Sequence, residues 1–336
     1  MRSVFFPRLL NGADGDPGLY VRLAHRSEAL LFDCGDLGQL TTRDLLKIGH
    51  IFISHAHIDH LIGFDQLLRA FLYHDRTLCF YGPAGFAAQI TGRLSSYTWN
   101  LTQSYPLALC VREWENGPGR EVHFRATNSF RPEREGGWQC EGNLLYANDH
   151  LQVRALPLDH GGITSLAFAL QEPLHVAIHK DALEARGYIP GPWLTRFKDL
   201  LRQGLDAETR MTVPLAAGGE TQVALDRLRK QIAHTERGMK VVYVTDVTPS
   251  EANLAKIVPF ARDAHLLAIE AAFSHAEFER ALERNHLTAG LAGETARKAG
   301  AARLLTFHHS PRYQDRPGLL AAEAEAAYLG PEKTES

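Results

Sequence analysis

Six consecutive residues, His55-Ala56-His57-Ile58-Asp59-His60, concentrate three imidazoles and a carboxylate in one short stretch. Neutral imidazole nitrogen and carboxylate oxygen are the donors that zinc prefers, at ~2.0 to 2.2 Å, with manganese and iron compatible with the same set. In an H-x-H-x-D-H run a turn can aim the first pair at one centre and the second pair at a neighbouring one, which suits a binuclear site. With 17 histidines in 336 residues and as many aspartates, chance gives roughly 0.002 such runs, so composition does not explain it. A lone histidine is usually a surface or hydrogen-bonded core residue. Crowded together beside an apolar strand, these side chains form a costly polar cluster unless a cation holds them.

The elements that must position this run are short apolar segments that read as buried strands: Ala29 to Phe32, Ile51 to Ile53, Val153 to Leu158, Val241 to Val244, Leu266 to Ile269 and Leu304 to Phe307. Helical patterns lie between them, as in His60 to Tyr73 and Thr288 to Ala299. Strands alternating with helices predict an α/β layered fold with strands buried on both faces. Four of the strands lead directly into a polar residue: His55, His160, Asp246 and His308. Each therefore delivers a candidate ligand at its carboxyl end.

A length of 336 residues with 45% hydrophobic content supports one large domain or two ordinary ones. The net charge of -3 gives no global positive field for nucleic acid, so any such contact needs a local patch. Cys34, Cys79, Cys110 and Cys140 lack a C-x-x-C pair and read as reduced, mostly buried thiols. Met1 to Gly18 carries Arg2, Arg8 and Asp14 with no apolar signal core, and no later stretch reaches 18 uninterrupted apolar residues. The expectation is a cytoplasmic protein without a membrane span.

The six-residue run matches the metallo-β-lactamase superfamily, and the wider pattern resembles its ribonuclease Z branch, the tRNA 3′-processing endonucleases. The likeness includes Leu31-Phe32-Asp33-Cys34-Gly35, Tyr81-Gly82-Pro83, Asp159-His160-Gly161 and Tyr243-Val244-Thr245-Asp246. It continues through Ile269-Glu270-Ala271-Ala272-Phe273, His286-Leu287-Thr288-Ala289 and Phe307-His308-His309-Ser310-Pro311-Arg312-Tyr313. It implies a four-layer αβ/βα sandwich of two mixed β-sheets with helices on the outer faces. One domain would span residues 1–336, with a helical hairpin arm inserted at about 174–210. It implies one metal on His55, His57 and His160, a second on Asp59, His60 and His308, and Asp246 bridging them. Counting back from Ser310-Pro311-Arg312-Tyr313 selects His308 as the ligand and leaves His309 to line the pocket. Two zinc ions sharing a hydroxide lower the pKa of the parent water toward ~7 and neutralise charge on a phosphoryl group. Asp59 would also orient the nucleophile, His286 would assist the leaving oxygen, and Glu270 would fix the His286 tautomer.

The substrate is less sharply marked. Lys180 to Arg202 reads as a helix, a turn at Tyr188 to Pro192 and a basic helix from Trp193 to Leu201, resembling the arm with which the family grips tRNA. Lys180, Arg196, Lys198 and Arg202, with Arg312 near the metals, are the candidate RNA contacts. Between Leu174 and Gly204, however, five basic residues face three acidic ones, a net of +2 that supports few phosphate contacts. A solvated lid or a dimer-packing hairpin fits that stretch equally. The family's glycine-rich loop after the first strand is replaced by Phe5-Phe6-Pro7-Arg8-Leu9-Leu10-Asn11-Gly12. The reading is a binuclear phosphodiesterase or endoribonuclease acting on precursor tRNA, in a homodimer as the resemblance implies. A hydrolase of a small ester, lactone or cyclic nucleotide is the alternative. A di-iron redox protein is disfavoured by Asp59-His60, and an inactive metal-binding interaction protein would leave His286 without a purpose.

Overall fold

The computed structural model describes residues 4–24, 26–114 and 116–331; Arg2 lies outside them. The chain divides into two units, one of residues 1–147, 152–170 and 239–336, the other of residues 148–151 and 171–238.

The first unit holds two mixed sheets. Eight strands form the first in sequence order: β1 (Phe5–Leu9), β2 (Leu19–Leu23), β3 (Ala29–Phe32), β4 (Ile48–Phe52), β5 (Thr77–Gly82), β6 (Ala108–Glu113), β7 (Gly119–Arg125) and β8 (Pro132–Trp138). The pairs from β3 to β6 are parallel and the flanking pairs are antiparallel. The second sheet begins with β9 (Leu144–Ala147), β10 (Gln152–His160) and β11 (Ile163–Gln171). The chain then enters the second unit, whose β12 (His175–Ile178) pairs with β15 (Ala233–Glu236) and whose β13 (Arg210–Pro214) pairs with β14 (Glu220–Ala224). It returns as β16 (Lys240–Val244), β17 (Leu266–Glu270) and β18 (Leu304–Phe307), giving the second sheet the order β18-β17-β16-β11-β10-β9.

Alternation of side chains along each strand explains the layers. Phe32 and Phe52 stack at 5.1 Å between the sheets; both meet Phe168 of the facing sheet at 5.7 Å, and Phe32 also meets Tyr243 there at 6.1 Å. Ile51, Ile53, Phe80 and Val111 point the other way, onto the helices Phe64–Phe71 and Phe86–Ser95. On the second sheet, Val242, Val244, Leu267 and Ile269 pack outward against the helices Glu251–Phe260, Ala289–Ala299 and Leu319–Leu329. Every expected strand is present, while the pattern from His60 to Tyr73 resolves into a 3₁₀ turn, Ile58–His60, and the helix Phe64–Phe71. The turn arises because the backbone of Cys34 accepts and donates there: Cys34 N–H bonds His60 O, and Gly63 N–H bonds Cys34 O, both at 2.9 Å. A Cβ on Gly63 would stand 2.2 Å from Gly35 O, so only glycine permits this approach.

The second unit has its own core of Val176, Leu183, Phe197, Val213, Leu228 and Ile232. It contains the two helices expected in the arm, Lys180–Ala185 and Trp193–Arg202. It also contains two strand pairs and the helix Leu225–Ile232, so it reaches beyond the helical hairpin expected at about 174–210. No helix among the described residues is long and apolar enough to cross a membrane.

Candidate metal centre

The seven expected ligands converge at the carboxyl ends of the strands. His55 and His57 follow β4, His160 ends β10, Asp246 follows β16, and His308 follows β18. Their donor atoms form two groups, each with all members within 4.8 Å of one another: His55, His57, His160 and Asp246, then Asp59, His60, Asp246 and His308. Asp246 belongs to both. The six-residue run thus splits its first two histidines from its last two ligands.

Spacing within these groups has the character of a ligand sphere. His60 Nε2 lies 3.4 Å from both Asp59 Oδ2 and Asp246 Oδ2, and the Nε2 atoms of His55 and His160 lie 3.8 Å from Asp246 Oδ2. Donors around a tetrahedral ion with bonds of ~2.0 to 2.2 Å stand ~3.3 to 3.6 Å apart, farther than a hydrogen bond. His55 Nε2, His60 Nε2 and His308 Nδ1 are buried without a hydrogen-bond partner, and buried polar atoms rarely go unsatisfied. His308 Nδ1 comes within 2.9 Å of Asp246 Oδ1, but not in hydrogen-bonding geometry. The residues therefore fit divalent cations.

Behind the donors, the other face of each ring is held. His60 Nδ1 meets Asp33 Oδ2 at 2.9 Å, and Asp33 also accepts from Ser54 N (2.7 Å), Ser54 Oγ (2.9 Å) and Tyr243 OH (2.9 Å). His160 Nδ1 donates to Asn285 O at 2.9 Å. These contacts fix which nitrogen points inward. Asn253 bonds both Asp159 and Thr248, fastening the end of β10 to the loop that carries Asp246. His308 has φ 58°, a left-handed conformation that a non-glycine residue adopts at a cost, and it turns the ring back over the site.

Electrostatics reinforce the picture. Burial, then repulsion from His60, lowers the pKa of His55 to about 2, keeping it the neutral ligand a metal requires. Burial opposes charge on His60, but Asp246 and Asp33 outweigh it and hold its pKa up to about 10. The same two carboxylates would draw a divalent cation to the site, with the ring bound as neutral imidazole.

Glu270 is fully buried at the end of β17 and accepts from Val247 N (2.7 Å), Leu287 N (3.2 Å) and His286 Nδ1 (2.9 Å). His286 follows Asn285, whose φ of 59° ends one helix just before Thr288 caps the next. Its Nδ1 stands 3.9 Å from Asp246 Oδ2; it is outside the two groups above but forms a third with Asp246, Glu270 and His308. His309 stays outside the donor groups and, as expected, lines the adjoining cleft, with Nε2 3.1 Å from Thr306 Oγ1 and its backbone N–H on Ala13 O. The loop after β1 thereby borders the site. A cleft of about 420 Å³ opens beside the centre, lined by Phe273, Arg280, Arg284, His286, His308 and Arg312. Arg312 is drawn to Glu277 at 3.0 Å. Lys180, Arg196, Lys198 and Arg202 lie in the second unit; Lys198 is half-buried and Arg202 pairs with Asp199 at 3.1 Å. Sequence reasoning assigned no role to Asp33, Ser54, Asn285, Arg280 or Arg284; only Asp33, ending an apolar strand, carried a signal.

Two mixed sheets between outer helices, with His and Asp donors at their strand ends, define a metal-dependent hydrolase of the metallo-β-lactamase fold. Solved structures of that fold share it. The fold protein YhfI from Bacillus subtilis aligns with 96% of this chain and 92% of its own (TM-score 0.53, 16% identity), and the short form of human tRNase Z with 92% of each (TM-score 0.50, 20% identity). No family model matches the chain. Sequence comparison is decisive: ribonuclease Z of Synechococcus sp. strain WH7803 is 32% identical over 325 residues, covering 92% of this chain and 85% of that protein. The chain belongs to the ribonuclease Z family, whose members are metal-dependent endoribonucleases.

Proposed function

We propose that this protein hydrolyses a phosphodiester of RNA, with 3′-extended precursor tRNA as substrate, using zinc at the two donor groups that share Asp246. The observation that carries the reading is the juxtaposition of that shared carboxylate with the His286–Glu270 pair. Bound there, two divalent cations would activate water at neutral pH and offset charge developing on the phosphoryl oxygens. His55, His57 and His160 would hold one cation, and Asp59, His60 and His308 the other. Asp59 would further orient the nucleophile. His286, its tautomer set by Glu270, would give a proton to the departing ribose oxygen. Arg280, Arg284 and Arg312 would attract phosphates flanking the scissile one.

Lys180, Arg196, Lys198 and Arg202 would supply remote contacts to the RNA, in a cytoplasmic homodimer. Remote binding energy can position a large substrate but cannot help a small one that never reaches it. The test sets precursor tRNA beside bis(p-nitrophenyl) phosphate, with the intact protein and a Lys180→Ala/Arg196→Ala variant. The reading expects cleavage at the tRNA 3′ side, a loss on tRNA in the variant and little change on the small ester. Hydrolysis of the ester with no cleavage of tRNA would overturn it in favour of a small-substrate hydrolase.

A further inference from the structure

A second group of metal-ligating side chains lies on the first sheet, composed of residues that the centre above does not use. The register aligns His50 of β4 with Cys79 of β5, Cys79 with Cys110 of β6, and Cys110 with His123 of β7. Directly opposed residues share a face of a sheet, so four positions up to 73 residues apart in sequence form one row. Glu121, two residues before His123, projects from the same face. The Cys110 thiol, the Glu121 carboxylate and a His123 ring nitrogen all lie within 4.8 Å of one another.

We propose that Cys79, Cys110, Glu121 and His123 hold a thiophilic divalent cation of the zinc type, separate from the histidine–aspartate centre, which ties β5, β6 and β7 together. Cys110, Glu121 and His123 supply three donors, and Cys79, which lies opposite Cys110 but outside that group, would turn toward them to complete the tetrahedral set that zinc takes. Charge counts agree. With both thiols ionised, the two sulfurs and Glu121 carry three negative charges, matched by a dication and Arg112. Arg112 is placed for that role: its Nε donates to Glu121 Oε2 at 2.6 Å, and its guanidinium is packed 5.6 Å from the Tyr81 ring and 5.3 Å from the Trp138 ring. The other carboxylate oxygen, Oε1, is hydrogen-bonded to His123 Nε2 at 2.6 Å, a contact that the cation would replace. The side chains of Glu121 and His123 are 21% and 32% exposed, which leaves an entry path for an ion.

Cobalt(II) substitution reads this site apart from the other, because the expected ligands there supply only nitrogen and oxygen. Reduced protein titrated with cobalt should show a thiolate-to-cobalt charge-transfer absorption in the near ultraviolet, complete by the third equivalent per chain, since the other centre takes two. Cys110→Ser should abolish the band and His123→Ala should weaken it, while zinc should compete it away. Both variants should keep the weaker d–d bands and the hydrolysis of bis(p-nitrophenyl) phosphate, which establishes that they are folded. Zinc should also protect two thiols of the wild type from a disulfide reagent. Absence of the band in reduced wild type whose d–d bands are present would overturn the proposal. So would a band that survives Cys110→Ser, or a Cys79–Cys110 disulfide that forms while the reduced pair binds no cobalt.

Discussion

Replacing His286 by alanine should separate proton donation from metal binding. Its ring is anchored on one side only: Nδ1 sits 2.9 Å from Glu270 Oε2, and the ring is close to the donors but outside the groups containing His55 to His60. A positioned general acid contributes ~10² to 10⁴ in rate, or ~2.7 to 5.4 kcal/mol of barrier. That contribution depends on the leaving group. A ribose alkoxide is a poor leaving group and needs the proton, whereas nitrophenolate departs as a stable anion. His286→Ala should therefore lose two to four decades of kcat on precursor RNA and far less on bis(p-nitrophenyl) phosphate, with metal content unchanged. Glu270→Gln adds a pH signature. Burial lowers the His286 pKa, but Glu270 outweighs it and the net shift is upward from 6.5. The protonated acid thus survives to higher pH in the wild type and is lost as pH rises through the raised pKa. Without the carboxylate's charge, the alkaline limb of kcat should move to lower pH. Kinetics on both substrates with elemental analysis decide the matter. An equal loss on the two, or loss of metal with activity, would refute the acid role.

Two other outcomes follow from the geometry. Asp246→Ala should reduce retention of both cations, because Asp246 belongs to both donor groups, whereas His57→Ala should affect one; metal stoichiometry after gel filtration checks this. Arg280→Ala/Arg284→Ala should raise KM for RNA several-fold and reduce the salt slope of binding by ~0.7 for each single-strand phosphate that the variant no longer neutralises, without changing turnover of the small ester.

Much of the site is legible in the sequence because the H-x-H-x-D-H run is local: a strand, a turn and a 3₁₀ segment are enough to aim four of the seven donors. The strand-then-ligand pattern supplies the rest as candidates, since buried parallel strands are continuous apolar runs and the first polar residue after each marks its end. The cysteines show the limit of that approach. Scattered in sequence, they read as inert thiols, yet register brings Cys79 and Cys110 opposite each other and beside His123. Asp33 likewise reads as a strand end, although it is buried against His60, Ser54 and Tyr243, the last 210 residues away. His308 reaches Asp59 across 249 residues at 3.2 Å. Local chemistry selects which residues can bind a metal, because donor type and spacing are properties of the chain. Which donors share an ion is decided by sheet order and register, since bonds near ~2 Å tolerate no misplacement and only the packed sheets bring such distant strand ends that close.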